Sequence, residues 1–194
     1  MDNHLGNNSM SGYLELFIGP MFSGKTSKIL QLYKQLNFCN IKVLVINYEE
    51  DKRYHNEHLS THDKTMIPCI SGLTLNEILS RSNINIDEYN SILINEGQFF
   101  PDLFETVKTL VDVKKKNVYI CGLDGDYKRE KFGSLLDLIP ICDNVTKLTS
   151  LCVNCKDGTK AIFTHRISSE SQQKVIGSSN YVPLCRKCYF EKNS

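Results

Sequence analysis

Two textures alternate along the first 148 positions. Short, nearly unbroken apolar runs stand at 13–18 (YLELFI), 41–47 (IKVLVIN), 91–95 (SILIN), 117–123 (NVYICGL) and 144–148. Such runs are expected of parallel strands covered on both faces. Between them, apolar residues recur at helical spacing: Ile29, Leu32, Tyr33 and Leu36 after the first run, and Leu103, Val107, Leu110 and Val111 after the third. Leu135, Leu136 and Ile139 predict a short helix stopped by Pro140. Lys114, Lys115 and Lys116 read as the solvated end of a helix, where positive charge suits the dipole. The alternation predicts an α/β fold: an open parallel sheet with helices on both faces.

The texture changes near Ser150. The remaining residues lose the helical pattern and carry a strand-like TKAIFTHRI, a polar SSESQQ and two C-x-x-C pairs. The chain therefore divides into a main domain at 12–149 and a small module at 150–194. Residues 1–11 are polar without an apolar segment, which predicts a disordered leader rather than a targeting signal. No apolar stretch approaches the roughly 20 residues that span a bilayer, so a cytoplasmic protein with no membrane partner is expected.

Charge narrows the classes further. Lysine and arginine number 23 against 22 acidic residues, a net charge of +1, so no broad basic field gathers nucleic acid or anionic lipid. Of the eight cysteines, Cys39, Cys69, Cys121 and Cys142 sit in apolar or mixed segments and read as small buried hydrophobes. Cys152, Cys155, Cys185 and Cys188 form the two pairs. In a reducing compartment a disulfide framework is not expected, whereas two C-x-x-C pairs complete a tetrahedral Cys₄ zinc site with slack for a loop between them. A module this small builds little core, so the metal would supply much of its folding energy. His55, His58, His62 and His165 lack a second-ligand spacing and are assigned to the surface.

Gly19, Pro20, Met21, Phe22, Ser23, Gly24, Lys25 and Thr26 match G-x-x-x-x-G-K-[ST], with a strand before and a helix after. In this pattern glycines turn backbone N–H groups toward phosphate oxygens, the lysine reaches the β- and γ-phosphates, and the hydroxyl of Thr26 ligates Mg²⁺. SILIN ends on Asn95, followed by Glu96, Gly97 and Gln98. From spacing alone, Glu96 is equally a general base for an attacking hydroxyl and a substitute metal carboxylate. Three function classes fit: a phosphotransferase, an ATPase whose CRKC and Lys160 touch nucleic-acid phosphates, and a nucleotide-binding regulator without turnover. The low net charge, the lack of interleaved aromatic and basic residues and the short chain weigh against the second.

The motifs GPMFSGKT, EEDKRYH with STHDK after it, NEGQFFPD, LDGDYKREKFGSLLDLIP, the cysteine pairs and VIGSSNYVPLCRKCYF occur in that order. On them the chain resembles the type II, cytosolic-type thymidine kinases from about Gly12 to Lys192. The resemblance implies a P-loop domain and a zinc domain bearing a lasso-like loop that closes over the nucleoside. It implies ATP·Mg²⁺-dependent phosphorylation of the thymidine 5′-hydroxyl to dTMP, with deoxyuridine as a further acceptor, in a homotetramer under dTTP feedback. It favours Glu96 as the proton acceptor. It groups Asp51, Lys52, Arg53, Asn95, Gly97 and Gln98 with the phosphate loop as nucleotide-binding residues. Met21, Phe99, Leu123 and Tyr127 correspond to the wall around thymine and sugar, and Thr164 to the same neighbourhood. Gln173, Lys174, Val175, Ile176 and Gly177 correspond to the stretch whose backbone grips the nucleoside, with Tyr181 beside the sugar. Two positions depart: Asn95 stands where the family has Asp, implying an active but Mg²⁺-demanding enzyme, and Tyr127 stands where Phe is common.

Overall fold

The computed structural model describes residues 11–50, 58–60, 66–175, 177 and 179–193. The leader before Ser11, residues Asp51, Lys52 and Arg53, the histidines His55 and His62, and Ile176 lie outside them.

Six strands form the central sheet: β1 (Tyr13–Ile18), β2 (Val43–Tyr48), β5 (Ile70–Gly72), β6 (Ser91–Ile94), β7 (Asn117–Gly122) and β8 (Asn144–Lys147). Their order is β5-β2-β6-β7-β1-β8, and every neighbouring pair is parallel. The five apolar runs are thus five of the six strands; the three-residue β5 is too short for its pattern to show. Parallel pairing needs a crossover between strands, and the intervening segments supply it.

Alternation along each strand assigns its side chains to one of two layers. Leu14, Leu16, Leu44, Ile46, Ile92, Ile94, Val118 and Ile120 point to one side, against α2 (Leu75–Leu79), α3 (Leu103–Lys108) and a π-helical turn, Thr109–Val113. Phe17, Val45, Leu93, Tyr119 and Cys121 point to the other, against Ile29, Leu30, Leu32 and Leu36 of α1 (Lys25–Phe38) and the antiparallel pair β3 (His58–Ser60) and β4 (Met66–Pro68).

Several expectations change. Leu135–Ile141 is a 3₁₀ helix that contains Pro140 rather than stopping before it. Of the expected Leu135, Leu136 and Ile139, Leu135 is buried, Leu136 half-buried and Ile139 exposed, because three residues per turn bring Leu138 inward beside Leu135. Lys116 is buried, and its amine donates to the Tyr89 carbonyl at 2.8 Å; Lys114 and Lys115 remain solvated. Of the four isolated cysteines only Cys121 is buried, while Cys69 and Cys142 are half-buried and Cys39 is exposed. Cys39 caps α1 beyond its last inward residue, Leu36, so it has no core to enter. His165 is half-buried against the Tyr189 ring instead of lying on the surface.

TKAIFTHRI breaks at Ile162 into β10 (Lys160–Ala161), paired with β9 (Ser150–Leu151), and β11 (Phe163–Arg166), paired with β12 (Tyr181–Leu184). The break lets one segment serve two partners. With α4 (Arg186–Asn193), these strands enclose a separate apolar cluster of Cys152, Ala161, Leu184, Cys185, Cys188 and Tyr189. Among the described residues, no helix is long and apolar enough to cross a membrane.

Candidate active site

The carboxyl ends of the parallel strands converge on one edge of the sheet, the usual place for a ligand in such a fold. The loop after β1 bends through Phe22 (φ 63°) and Gly24 (φ 81°) before α1 begins. The Gly24 conformation is left-handed and strained for a side chain, and at Gly19 a Cβ would stand 2.5 Å from the Leu148 carbonyl oxygen. Both glycines of the motif are therefore required by the backbone path. Lys25 is buried, and its Nζ donates to the Pro20 carbonyl at 2.6 Å. The Met21 amide donates to Thr164 Oγ1 at 3.0 Å, tying the loop to β11.

Strand alternation places Asn47 just before the end of β2, Asn95 just past β6, and Cys121 in β7 on the face that α1 covers. They meet there. Asn95 Oδ1 accepts from Cys121 Sγ at 2.9 Å and from Thr26 Oγ1 at 3.4 Å, while its Nδ2 donates to Asn47 Oδ1 at 2.8 Å. Both asparagines are buried, so a continuous polar network runs from the start of α1 across three strand tips. A neutral amide here satisfies a donor and an acceptor at once, which a carboxylate cannot.

Glu96 follows in the left-handed region (φ 55°), an unusual backbone conformation for glutamate that turns the chain sharply off the strand. Gln98 Nε2 donates to Glu96 Oε2 at 2.7 Å, and Gln98 Oε1 accepts from the Leu123 amide at 3.0 Å. Gln98 thereby fixes the carboxylate against the end of β7. The buried Gly97 packs on Ile120 and Leu135, where a Cβ would meet the Ile120 side chain at 2.6 Å. Gly97 and Gln98 thus shape the glutamate turn.

An aromatic wall lies alongside. Phe99 stacks near Tyr48 at 5.2 Å and edge-on to Phe132 at 5.2 Å, and the Lys174 amine stands 4.5 Å from the Tyr48 ring centre and 5.3 Å from that of Phe99. Lys174 also donates to the Tyr48 hydroxyl at 2.9 Å and pairs with Glu50. Burial disfavours its charge, but the Glu50 carboxylate and Tyr48 outweigh this and hold its pKa above the ordinary lysine value. Gln173 Nε2 donates to Asp126 Oδ2 at 2.8 Å, while Asp126 Oδ1 accepts from the amides of Lys128 and Glu130. Consecutive residues thus tie the segment between β11 and β12 to the loop after β7 and to the end of β2. Gly177, at φ 126°, adopts a backbone conformation that other residues rarely accept.

The four paired cysteines also converge. Their sulfurs lie within 4.8 Å of one another, and Cys155 Sγ stands 3.8 Å from Cys185 Sγ and 3.6 Å from Cys188 Sγ. Tetrahedral zinc with Zn–S near 2.3 Å separates its sulfurs by about 3.8 Å, so the donor set fits. Burial opposes ionisation of Cys152, but backbone hydrogen bonds from Cys185, Cys155 and Asn154 outweigh it and lower its pKa to about 6. Hydrogen bonding to Cys188 and Cys152, together with burial, pushes Cys155 up to about 12. One thiolate thus discourages the next, a conflict that a bound dication removes.

The family profile described as thymidine kinase matches residues 12–189. The thymidine kinase of Yaba monkey tumor virus is 40% identical over 188 residues, covering 96% of this chain and 99% of the viral protein. Thymidine kinase a of Arabidopsis thaliana is 40% identical over 184 residues, covering 92% of this chain and 75% of the plant protein. The cytosolic thymidine kinase of Cricetulus griseus is 35% identical over 188 residues, covering 94% and 75% respectively.

The chain belongs to the thymidine kinase family.

Within this family member, the sequence-selected residues form three groups. Thr26, Asn95, Glu96 and Gln98 gather at the strand tips. Phe99, Gln173 and Lys174 meet along the aromatic wall and its neighbouring turn. Tyr127 and Tyr181 turn to the backbone of the β11–β12 segment, donating to the carbonyls of Ser171 and Val175 at 2.9 Å each. The Tyr127 hydroxyl is thus spent on that segment. Sequence reasoning missed Asn47, Tyr48, Asp126, Phe132 and Arg166. Asn47 ends the apolar run 41–47, and Asp126 and Phe132 lie in LDGDYKREKFGSLLDLIP, so their positions carried a signal; the partners of Arg166 did not.

Proposed function

We propose that this thymidine kinase family member transfers the γ-phosphoryl of ATP to the 5′-hydroxyl of thymidine, yielding dTMP and ADP, and accepts deoxyuridine as an alternative. The observation that carries the reading is Glu96, buried at the tip of β6 and held by Gln98, on the sheet edge that also bears the glycine-rich loop. Glu96 takes the hydroxyl proton as the new O–P bond forms, and the bond to the leaving ADP oxygen breaks with its electron pair going to ADP. Lys25 exchanges the neutral Pro20 carbonyl for anionic phosphate oxygens as its acceptor, a stronger interaction. Thr26 and Asn95 are the residues that would hold Mg²⁺, which neutralises phosphate charge when bound. Asp51, Lys52, Arg53 and Ile176 keep their sequence-based assignments near the phosphates and the nucleoside.

The remaining features of the proposal are structural zinc at the four cysteines, domains at 12–149 and 150–194 after a polar leader, and a cytoplasmic homotetramer inhibited by dTTP. The separate apolar cluster around the cysteines supports the division. The balanced charge supports nucleosides rather than nucleic acid as partners. The test is ADP formation from ATP·Mg²⁺ with thymidine, compared with single-stranded polynucleotide. Stimulation by thymidine and formation of dTMP are expected; ADP release driven by polynucleotide alone would overturn the proposal.

A further inference from the structure

Arg166 ends β11 and is 5% exposed. Its Nη1 donates to the carbonyls of Glu170, at 2.9 Å, and Gln172. Its Nη2 donates to the carbonyl of Gln173 at 2.9 Å and to the Tyr181 hydroxyl at 2.6 Å. The Tyr181 hydroxyl in turn donates a hydrogen bond to the Val175 carbonyl at 2.9 Å, and Tyr127 donates to the Ser171 carbonyl at 2.9 Å. The Arg166 guanidinium carbon stands 3.8 Å from the Tyr127 ring centre and 5.1 Å from that of Tyr181. Three side chains therefore hold the backbone oxygens of Glu170, Ser171, Gln172, Gln173 and Val175.

A buried cation is costly unless dipoles or counter-charges replace its water. Here carbonyl dipoles and two ring faces do so, and only a flat fork can reach several carbonyls at once. A lysine presents one rotating point charge and cannot.

We propose that Arg166 is a positioning residue that holds the 170–175 segment together as one main-chain unit, so that the loop meets the nucleoside already shaped. The link to nucleoside affinity rests on the thymidine kinase reading; the organisation of the segment does not. Zinc held by the four cysteines would fix the distant roots of the segment, whereas Arg166 holds its interior through different contacts. A segment already ordered loses less conformational freedom on binding, so the benefit falls on affinity rather than on the chemical step.

The test compares wild-type protein with Arg166→Met and Arg166→Lys, each zinc-loaded and free of nucleoside. The first readout is the rate of tryptic cleavage after Lys174, followed by mass. We expect at least tenfold faster cleavage in both variants, with zinc content and ATP affinity unchanged. The thymidine KM should rise by roughly 10- to 100-fold, with kcat within a few fold, from the loss of charge-assisted bonds. Wild-type cleavage rates in Arg166→Met, or full rescue by Arg166→Lys, would overturn the proposal. If Arg166→Met does not fold, Tyr181→Phe removes only the hydroxyl that bridges Arg166 to Val175 and should speed the same cleavage several-fold; no change overturns the proposal. Normal thymidine turnover with unchanged cleavage sinks the role of Arg166 alone. Accelerated cleavage in a protein that ignores thymidine supports the organising role and sinks the kinase reading alone.

Discussion

Replacing Asn95 with aspartate exchanges one atom in a closed polar network, and its effect should change sign with magnesium. Asn95 is 1% exposed and Asn47 is 4% exposed. In the native protein the Asn95 amide nitrogen donates to Asn47 Oδ1 at 2.8 Å. After Asn95→Asp two oxygens face each other at that point until the Asn47 amide turns to offer its nitrogen. The new carboxylate then has three donors: Asn47, Thr26 and Cys121. These offset most, not all, of the cost of burying charge, and a net loss of about 1–3 kcal/mol is expected without metal. For a chain of this size that lowers Tm by about 2–12 °C. With Mg²⁺ and nucleotide present the same charge becomes favourable. A charged contact is worth roughly 1 kcal/mol more than a neutral one, so the Mg²⁺ requirement should fall about five- to tenfold at similar saturated kcat. Thermal melting in magnesium-free buffer and with Mg·ADP, together with rates across a magnesium titration, reads both signs. An identical magnesium requirement would refute a role for Asn95 at the metal. An unchanged melting temperature without magnesium would refute the closed network.

Glu96→Gln should lower kcat by roughly 10²- to 10⁴-fold while leaving the nucleotide Kd near its native value; collapse of nucleotide affinity with surviving kcat assigns Glu96 to the metal instead. Metal analysis should find about one zinc per chain, with Zn–S distances near 2.3 Å by X-ray absorption. Cys185→Ser should melt the β9–β12 module before the central sheet, and a single coincident transition would contradict this. His165 is held below its ordinary pKa by burial and by Lys192. Its contribution to stability is therefore complete above the unfolded value of about 6.5 and is lost as pH falls toward and through the folded value. The stability difference between wild type and His165→Gln should change across that acidic window and stay flat above pH 7; a difference independent of pH removes the assignment.

Local periodicity was enough to identify β1, β2, β6, β7 and β8, because a strand buried on both faces advertises itself in consecutive residues. It was also enough for the inward face of α1 and for the glycine-rich turn, whose backbone demands are met within eight neighbouring positions. The four cysteines declared their chemistry through spacing within each pair. The 3₁₀ geometry at Leu135–Ile141 was hidden because its apolar residues satisfy more than one helical period, and packing selected Leu138 over Ile139. Only tertiary structure could decide the long-range partners. Asn47 and Asn95 are 48 positions apart, Tyr48 and Lys174 are 126 apart, and Met21 and Thr164 are 143 apart. Whether such residues touch depends on strand order, register and the path of the intervening chain. Arg166 is the sharpest case: its residue type announces charge, but burial beneath Tyr127 and the carbonyls around it turn that charge into an organiser of backbone. Sequence determined the local conformations and the chemical vocabulary of this protein; the tertiary structure decided which groups face one another, because contact across a fold is a property of three-dimensional packing and not of neighbourhood along the chain.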